Sequence, residues 1–114
     1  MLEEDVRMPT FVGVVLYNKK GIRLSVKLSK LMKGSLQVVF GKADRQESIV
    51  AVKREVKEET DLSVTQLQWL VNDPQYDCDI YLCNIEKFKP RRNEPDKLSA
   101  WRHYSYDAFA RLAT

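Results

Sequence analysis

Cysteine is scarce in this sequence of 114 residues, which contains only Cys78 and Cys83. The two lie five positions apart in a segment with the composition of a strand, so they are expected on opposite faces of that strand. They are therefore poorly placed to bind one metal ion or to form a disulfide with each other. Two isolated thiols without a wider cysteine framework indicate a reducing compartment.

The sequence also lacks a long apolar run and a strong excess of charge. Its longest apolar run, near FVGVVLY, is far shorter than the roughly 20 residues that span a membrane. The N-terminus, MLEEDVRMPT, is charged and has no apolar core of the kind found in signal peptides. The net charge of +3 is too small to argue for membrane or nucleic-acid binding. We expect a cytoplasmic protein without membrane contact, and nucleic acid as a partner is left open but not favoured.

The length and the apolar fraction of 44% predict one folded domain, over residues 10–114, preceded by an N-terminal arm over residues 1–9. Strands and helices are mixed without regular alternation, which favours an α+β fold with helices packed on a mixed sheet. Strands are predicted at 10–17, 22–28, 36–40, 62–71, 76–85 and 98–104, and helices at about 48–60 and 106–112. The first two strands should form a hairpin through the turn NKKG. Gly41 should end the strand at 36–40, and Trp69, in the strand at 62–71, should lie in the core.

The longer predicted helix combines an apolar stripe with a cluster of glutamates. Ile49, Val52 and Val56 fall within a narrow arc that should face the core, and Ser48 or Glu47 should cap the helix. The stretch REVKEETDL, at 54–62, places three glutamates within an arc of roughly 100° beside that stripe, a spacing at which like charges repel. The unmatched carboxylates indicate that something cationic binds this face of the helix; they are Glu55, Glu58 and Glu59.

Residues 36–62 resemble the signature of the Nudix hydrolases, GX5EX7REUXEEXGU, where U is a bulky aliphatic residue. Gly41 through Glu47 matches GX5E, Arg54 through Glu59 matches REUXEE, and Leu62 fills the last aliphatic position. The segment NEPDKLSAWRHYSYDAF, at 93–109, is similar to an EPxK…W segment of nucleotide-acting, MutT-like members. Three departures stand out: Val39-Phe40-Gly41 in place of Pro-Gly-Gly, one residue fewer between Glu47 and Arg54, and Asp61 in place of Gly.

The resemblance implies a Nudix-type α/β/α sandwich and a hydrolase that cleaves the pyrophosphate linkage of a nucleoside triphosphate or another nucleoside diphosphate derivative. It implies Mg²⁺ or Mn²⁺ as cofactor. Four residues of the signature, here called the Nudix box, would take part in catalysis, and a backbone group of the box would also bind the metal ion. Oxygen-rich carboxylate sites suit such hard cations. The implied catalytic residues are Arg54, Glu55, Glu58 and Glu59, and the implied metal ligands are Glu55, Glu58, Glu59 and Gly41.

Residues outside the box are weaker candidates for contact with the nucleotide. Lys42 is a candidate phosphate contact, Glu94 a further ligand or base, and Trp101 a stacking partner for a base, although a packing role is the alternative for Trp101. The shortened spacing predicts only a supporting role for Glu47. The competing interpretation of the whole chain is a Nudix-fold module that binds nucleotide or RNA without turning it over. The sequence leaves the base, the leaving group and the oligomeric state open.

Overall fold

The computed structural model describes residues 7–26, 28, 33–86, 90 and 94–112. Strands in this part of the chain are β1 Phe11–Asn18, β2 Gly21–Val26, β3 Leu36–Gln37, β4 Val39–Lys42, β5 Gln68–Asp73, β6 Cys78–Asn84 and β7 Arg102–Ser105. The helices are α1 Ser48–Thr60 and α2 Tyr106–Leu112. No helix in the described part is long and apolar enough to cross a membrane.

Strand β1 lies at the centre of a mixed sheet. One of its edges pairs in parallel with β6 along almost its whole length, and β5 pairs antiparallel with β6. Its other edge is shared, because β4 pairs antiparallel with the first half of β1 and β2 with the last residues. Strand β2 in turn pairs with β3 and β7. The predicted hairpin and the predicted mixed sheet are both confirmed.

The two helices cover opposite faces of the sheet. Alternate residues of β1 point to the α1 face and are fully or almost fully buried there, namely Val12, Val14 and Leu16. They pack with Ala51, Val52 and Val56 of α1 in one core, and each such apolar side chain stabilises the fold by roughly 1.5–3 kcal/mol. Gly13 and Val15 point the other way and lie near Phe109 and Leu112 of α2. The predicted α+β sandwich is confirmed.

Helix α1 has the predicted bounds but a different buried face. Ile49, expected in the core, is 37% exposed, whereas Glu55 and Glu59 are 7% and 4% exposed. The helix is therefore turned so that the glutamate side of the apolar stripe faces the sheet. The N-cap is Glu47, whose side chain makes no capping hydrogen bond, and the C-cap Asp61 adopts the left-handed conformation that a glycine commonly takes there.

Several strand predictions need correction. The predicted strand 36–40 is two short strands separated by Val38, and Gly41 lies inside β4 instead of ending the strand. The predicted strand 62–71 begins only at Gln68. Trp69, expected in the core, is 44% exposed because it lies on an edge strand, where the Arg7 guanidinium stacks 4.9 Å from its ring centroid. The predicted strand 98–104 is regular only over Arg102–Ser105.

Other expectations agree with the structure. Cys78 pairs with Phe11 and Cys83 with Leu16, so the two thiols lie on opposite faces, and both are buried and free. Ser105 Oγ accepts a hydrogen bond from Ala108 N–H at 3.1 Å, as expected for the cap of α2. The predicted arm over 1–9 and the domain over 10–114 remain predictions, and residues 1–6 lie outside the described residues.

Candidate active site

Arg54 is the centre of a dense polar cluster on α1. Its Nη1 donates to Glu55 Oε1 at 2.8 Å and to Glu58 Oε1 at 3.2 Å. Its Nη2 donates to the backbone carbonyl of Lys42 at 2.8 Å. One arginine therefore ties the end of β4 to two of the predicted catalytic glutamates, and its planar fork fixes the direction of both carboxylates.

The third side of the Arg54 guanidinium is held by Gln46, a residue that the sequence interpretation missed. Arg54 Nε donates to Gln46 Oε1 at 2.7 Å, whereas Glu47 is exposed. Asp44 and Arg45 have φ values of 53° and 62°, so two successive left-handed residues turn the short loop back toward the helix. The sequence did contain a signal for this contact. The Nudix signature places seven residues between its first glutamate and its arginine, and counting back from Arg54 by that spacing reaches Gln46 instead of Glu47.

Glu55 and Glu59 form a buried pair of carboxyl groups. Burial raises the pKa of Glu55, and burial together with the hydrogen bond and charge of Glu55 raises the pKa of Glu59 to about 10. Glu59 therefore holds a proton at neutral pH, and its hydrogen bond with Glu55 places that proton between the two carboxyl groups. No cation pairs with Glu59 among the described residues.

Strand β4 shapes the pocket that holds this pair. A Cβ built on Gly41 would overlap the Glu55 carboxyl group, so a glycine leaves room for that carboxyl group in its observed position. The backbone N–H of Phe40 donates to Glu59 Oε1 at 3.4 Å. Gly41, predicted at the metal, thus lies directly against a predicted metal ligand.

The donor set fits a hard divalent cation. Carboxylate oxygens are the ligands that Mg²⁺ and Mn²⁺ prefer. The proton between the Glu55 and Glu59 carboxyl groups lies where a bound cation would relieve the repulsion between the two ionised carboxylates. Within the described ranges, no three acidic, histidine or cysteine side chains are arranged to hold a metal ion. Glu58 is held by Arg54 instead, so a cation must compete with Arg54 for this carboxylate.

The structure places the three weaker candidates differently from one another. Glu94 lies close enough for its charge to contribute to the raised pKa of Glu59, and its side chain also pairs with Lys97. Lys42 is exposed on the rim of a cavity of about 370 Å³. Trp101 is only 6% exposed and donates from Nε1 to the Glu59 carbonyl at 3.0 Å. This burial favours the packing role for Trp101 and leaves its ring covered from a stacking base.

A larger cavity, of about 730 Å³, opens on the α2 face of the sheet. Phe40 lies in its wall and is also the residue whose backbone N–H donates to Glu59, so strand β4 separates this cavity from the buried carboxyl pair. Most of the lining is apolar, and the polar side chains are those of Gln37, Asp73 and Tyr76. The sequence interpretation did not locate this cavity, because its walls come from strands and a helix that are distant along the chain.

Comparisons with known proteins agree with this arrangement. The family model for the NUDIX domain matches residues 7–114. A comparison with curated protein sequences gives no significant match.

Solved structures of several proteins share the fold of this chain. The MutT NUDIX hydrolase from Burkholderia pseudomallei aligns with a TM-score of 0.74 at 20% identity, over 90% of this chain and 86% of that chain. The NUDIX domain of Shewanella oneidensis NrtR, solved with ADP ribose, gives 0.73 at 12% identity, over 92% and 77%. The Bacillus subtilis pyrophosphohydrolase BsRppH, solved as a point mutant, gives 0.58 at 21% identity, over 84% and 64%.

At sequence identities of 12–21%, these structural similarities are evidence for the fold alone. The family match includes the glutamates of α1, the Arg54 clamp formed by the contacts of Arg54 with Glu55 and Glu58, and the cavity on the α2 face. The chain therefore belongs to the Nudix hydrolase family, and it shares the fold of solved MutT proteins.

Proposed function

We propose that this protein is a divalent-metal-dependent hydrolase that cleaves the pyrophosphate linkage of a nucleoside triphosphate or another nucleoside diphosphate derivative. The observation that carries the proposal is the pair of buried carboxyl groups, Glu55 and Glu59, packed against Gly41 and bordered by the Arg54 clamp. Burying two carboxyl groups with only one cation, Arg54, paired to them among the described residues is costly to the fold, which is expected where a site is built for chemistry and not for stability.

The residues of the cluster have separable roles in this proposal. Glu55, Glu58 and Glu59 would hold Mg²⁺ or Mn²⁺, with the backbone at Gly41 close by. The bound ion would neutralise phosphate oxygens and acidify a water molecule. Arg54 orients Glu55 and Glu58 through its fork. Whichever of the three glutamates is not engaged as a ligand would accept the proton of the attacking water.

The neighbouring cavity is suited to the organic part of the substrate. Its volume of about 730 Å³ and its apolar walls fit a ligand with a flat, weakly polar ring system. Phe40 of β4 lies in the cavity wall, and its backbone N–H contacts Glu59 on the other side of the strand. A nucleoside bound there would direct its phosphates toward the glutamates. Lys42 and Glu94 remain candidates for contact with those phosphates or their cation.

The test is a screen for release of phosphate or pyrophosphate from a nucleotide panel, with Mg²⁺, with Mn²⁺ and with a chelator. We expect metal-dependent release from at least one compound. The double variant Glu58→Gln with Glu59→Gln should lose this activity, and it should also lose the increase in melting temperature that Mg²⁺ or Mn²⁺ gives the wild type. Equal metal-induced increases in the two proteins would contradict the assignment of the metal site.

The alternative is a module that binds a nucleotide without hydrolysing it. The hold of Arg54 on Glu58 favours this alternative, because that carboxylate is already neutralised without a metal ion. A Nudix domain of similar fold has been solved in complex with ADP ribose. A nucleotide that raises the melting temperature by mass action but stays intact with both metals would support the binding module.

A further inference from the structure

A second buried polar cluster joins the segment before β1 to the first turn of α1. Asp79 of β6 is fully buried and accepts two hydrogen bonds from the Arg7 guanidinium, each 2.9 Å long. Ser48 Oγ donates to the same carboxylate at 2.7 Å, and Asn72 Nδ2 donates at 2.9 Å. Burial alone would raise the pKa of Asp79, but the hydrogen bonds from Arg7, Ser48 and Asn72 outweigh it and lower that pKa, so the carboxylate stays ionised.

Arg7 is fixed on two sides although part of its side chain is exposed. The two parallel bonds to Asp79 form a bidentate arginine–carboxylate pair, which restricts both distance and direction. The other face of the guanidinium lies over the ring of Trp69, 4.9 Å from its centroid. The side chain of Arg7 therefore anchors the chain segment that precedes β1 to the sheet.

The anchored segment holds both ends of the loop between β4 and α1. The backbone carbonyl of Arg7 accepts the Ser48 N–H at 2.7 Å, and the carbonyl of Thr10 accepts the Ala43 N–H at 2.9 Å. Ser48 is the first residue of α1, so its amide has no partner within the helix. Glu47 supplies no side-chain cap, and the Arg7 carbonyl satisfies this amide instead.

We propose that Arg7, held by Asp79, is a positioning residue for the loop 43–47 and the first turn of α1. This loop carries Gln46, which binds Arg54, and Arg54 in turn directs Glu55. Displacement of the loop would therefore misalign the carboxyl cluster without removing any group from it. The consequence for turnover rests on the proposed function, whereas the consequence for the loop itself does not.

The test compares Arg7→Gln and Arg7→Lys with the matched control Arg102→Gln, an exposed arginine on β7. Amide hydrogen exchange is followed at Ser48 and Ala43. In Arg7→Gln we expect these two amides to exchange about tenfold faster or more, while amides within β6 keep their protection. We expect kcat to fall, by up to about 100-fold, with little change in KM, because misplaced groups are felt in the transition state.

The lysine variant and the control separate positioning from general loss of stability. Arg7→Lys keeps the charge but not the fork, so its exchange rates and kcat should lie between those of the wild type and of Arg7→Gln. Arg102→Gln should match the wild type. Exchange at Ser48 and Ala43 within about twofold of the wild type in Arg7→Gln, or a uniform rise at every amide, would overturn the proposal.

Two further arrangements keep the test decisive. If Arg7→Gln alone fails to fold because Asp79 is left buried and unpaired, the double variant Arg7→Gln with Asp79→Asn removes both charges and serves in its place. Absence of turnover on every nucleotide, with wild-type protein, would contradict the proposed function alone. The exchange rates at Ser48 and Ala43 would still confirm or overturn the role of Arg7.

Discussion

Replacing Glu59 with glutamine is expected to stabilise the fold at neutral pH in the absence of divalent cations. Burial, reinforced by the hydrogen bond and charge of Glu55, raises the pKa of Glu59 from 4.5 to about 10. A carboxyl group whose pKa is higher in the folded protein than in the unfolded protein stabilises the fold fully only at pH values below its unfolded-state pKa. This contribution to the free energy of unfolding is lost as the pH rises toward the folded-state pKa. At neutral pH the wild type has therefore lost stability that a neutral glutamine keeps.

The size of this gain is set by the interval between the unfolded pKa, 4.5, and the working pH. Each pH unit in that interval corresponds to about 1.4 kcal/mol, so the interval of about 2.5 units up to about pH 7 gives a gain of at most about 3.5 kcal/mol. Glutamine has the shape of the protonated acid: its amide can donate to Glu55, and its oxygen can accept from the Phe40 N–H, as Glu59 does. Packing should therefore change little.

The measurement is urea unfolding with a chelator present, followed by the fluorescence of the buried Trp101. We expect Glu59→Gln to exceed the wild type in free energy of unfolding at about pH 7 and to approach it at about pH 4. Glu58→Gln is the matched control, because its partly exposed ion pair should change stability by no more than about 1 kcal/mol. A destabilised Glu59→Gln, or a difference that does not depend on pH, would refute the reasoning.

Two further substitutions test the geometry of the cluster. Gly41→Ala should destabilise the protein by about 1–3 kcal/mol, measured by thermal unfolding, because its Cβ would overlap the buried Glu55 carboxyl group; unchanged stability would mean that this carboxyl group is not fixed against Gly41. Gln46→Ala should lower kcat more than Glu47→Ala, because only Gln46 binds Arg54 Nε; the reverse ranking in steady-state kinetics would place Glu47 at the site.

The sequence predicted α1 well because its signals are local. The apolar repeat, the polar residues before Ser48 and the left-handed Asp61 all act within the helix or next to it, and the predicted bounds 48–60 match the structure. The buried face was predicted less well. Glu55 enters the interior only because Gly41, on a separate strand, leaves room for its carboxyl group, and periodicity within the helix does not contain that information.

Residues positioned by tertiary contacts were missed for the same reason. The spacing counted back from Arg54 points to Gln46, but the two successive left-handed residues that bring Gln46 to Arg54 are not predicted by any short pattern in GKADRQES. Asp79 lies near Ser48 because β6 runs parallel to β1, a pairing between segments far apart in the chain. Trp69 was expected in the core because its segment is apolar, but its position on an edge strand leaves it partly exposed.

The most direct test of turnover at this carboxyl cluster follows an identified nucleotide ligand by phosphorus NMR. With wild-type protein and Mg²⁺ or Mn²⁺, the pyrophosphate signals should be replaced by those of the cleaved products. They should persist with a chelator, and Glu55→Gln should slow their loss through kcat more than through KM. A ligand that binds the wild type tightly and keeps its pyrophosphate signals unchanged with either metal would contradict hydrolysis.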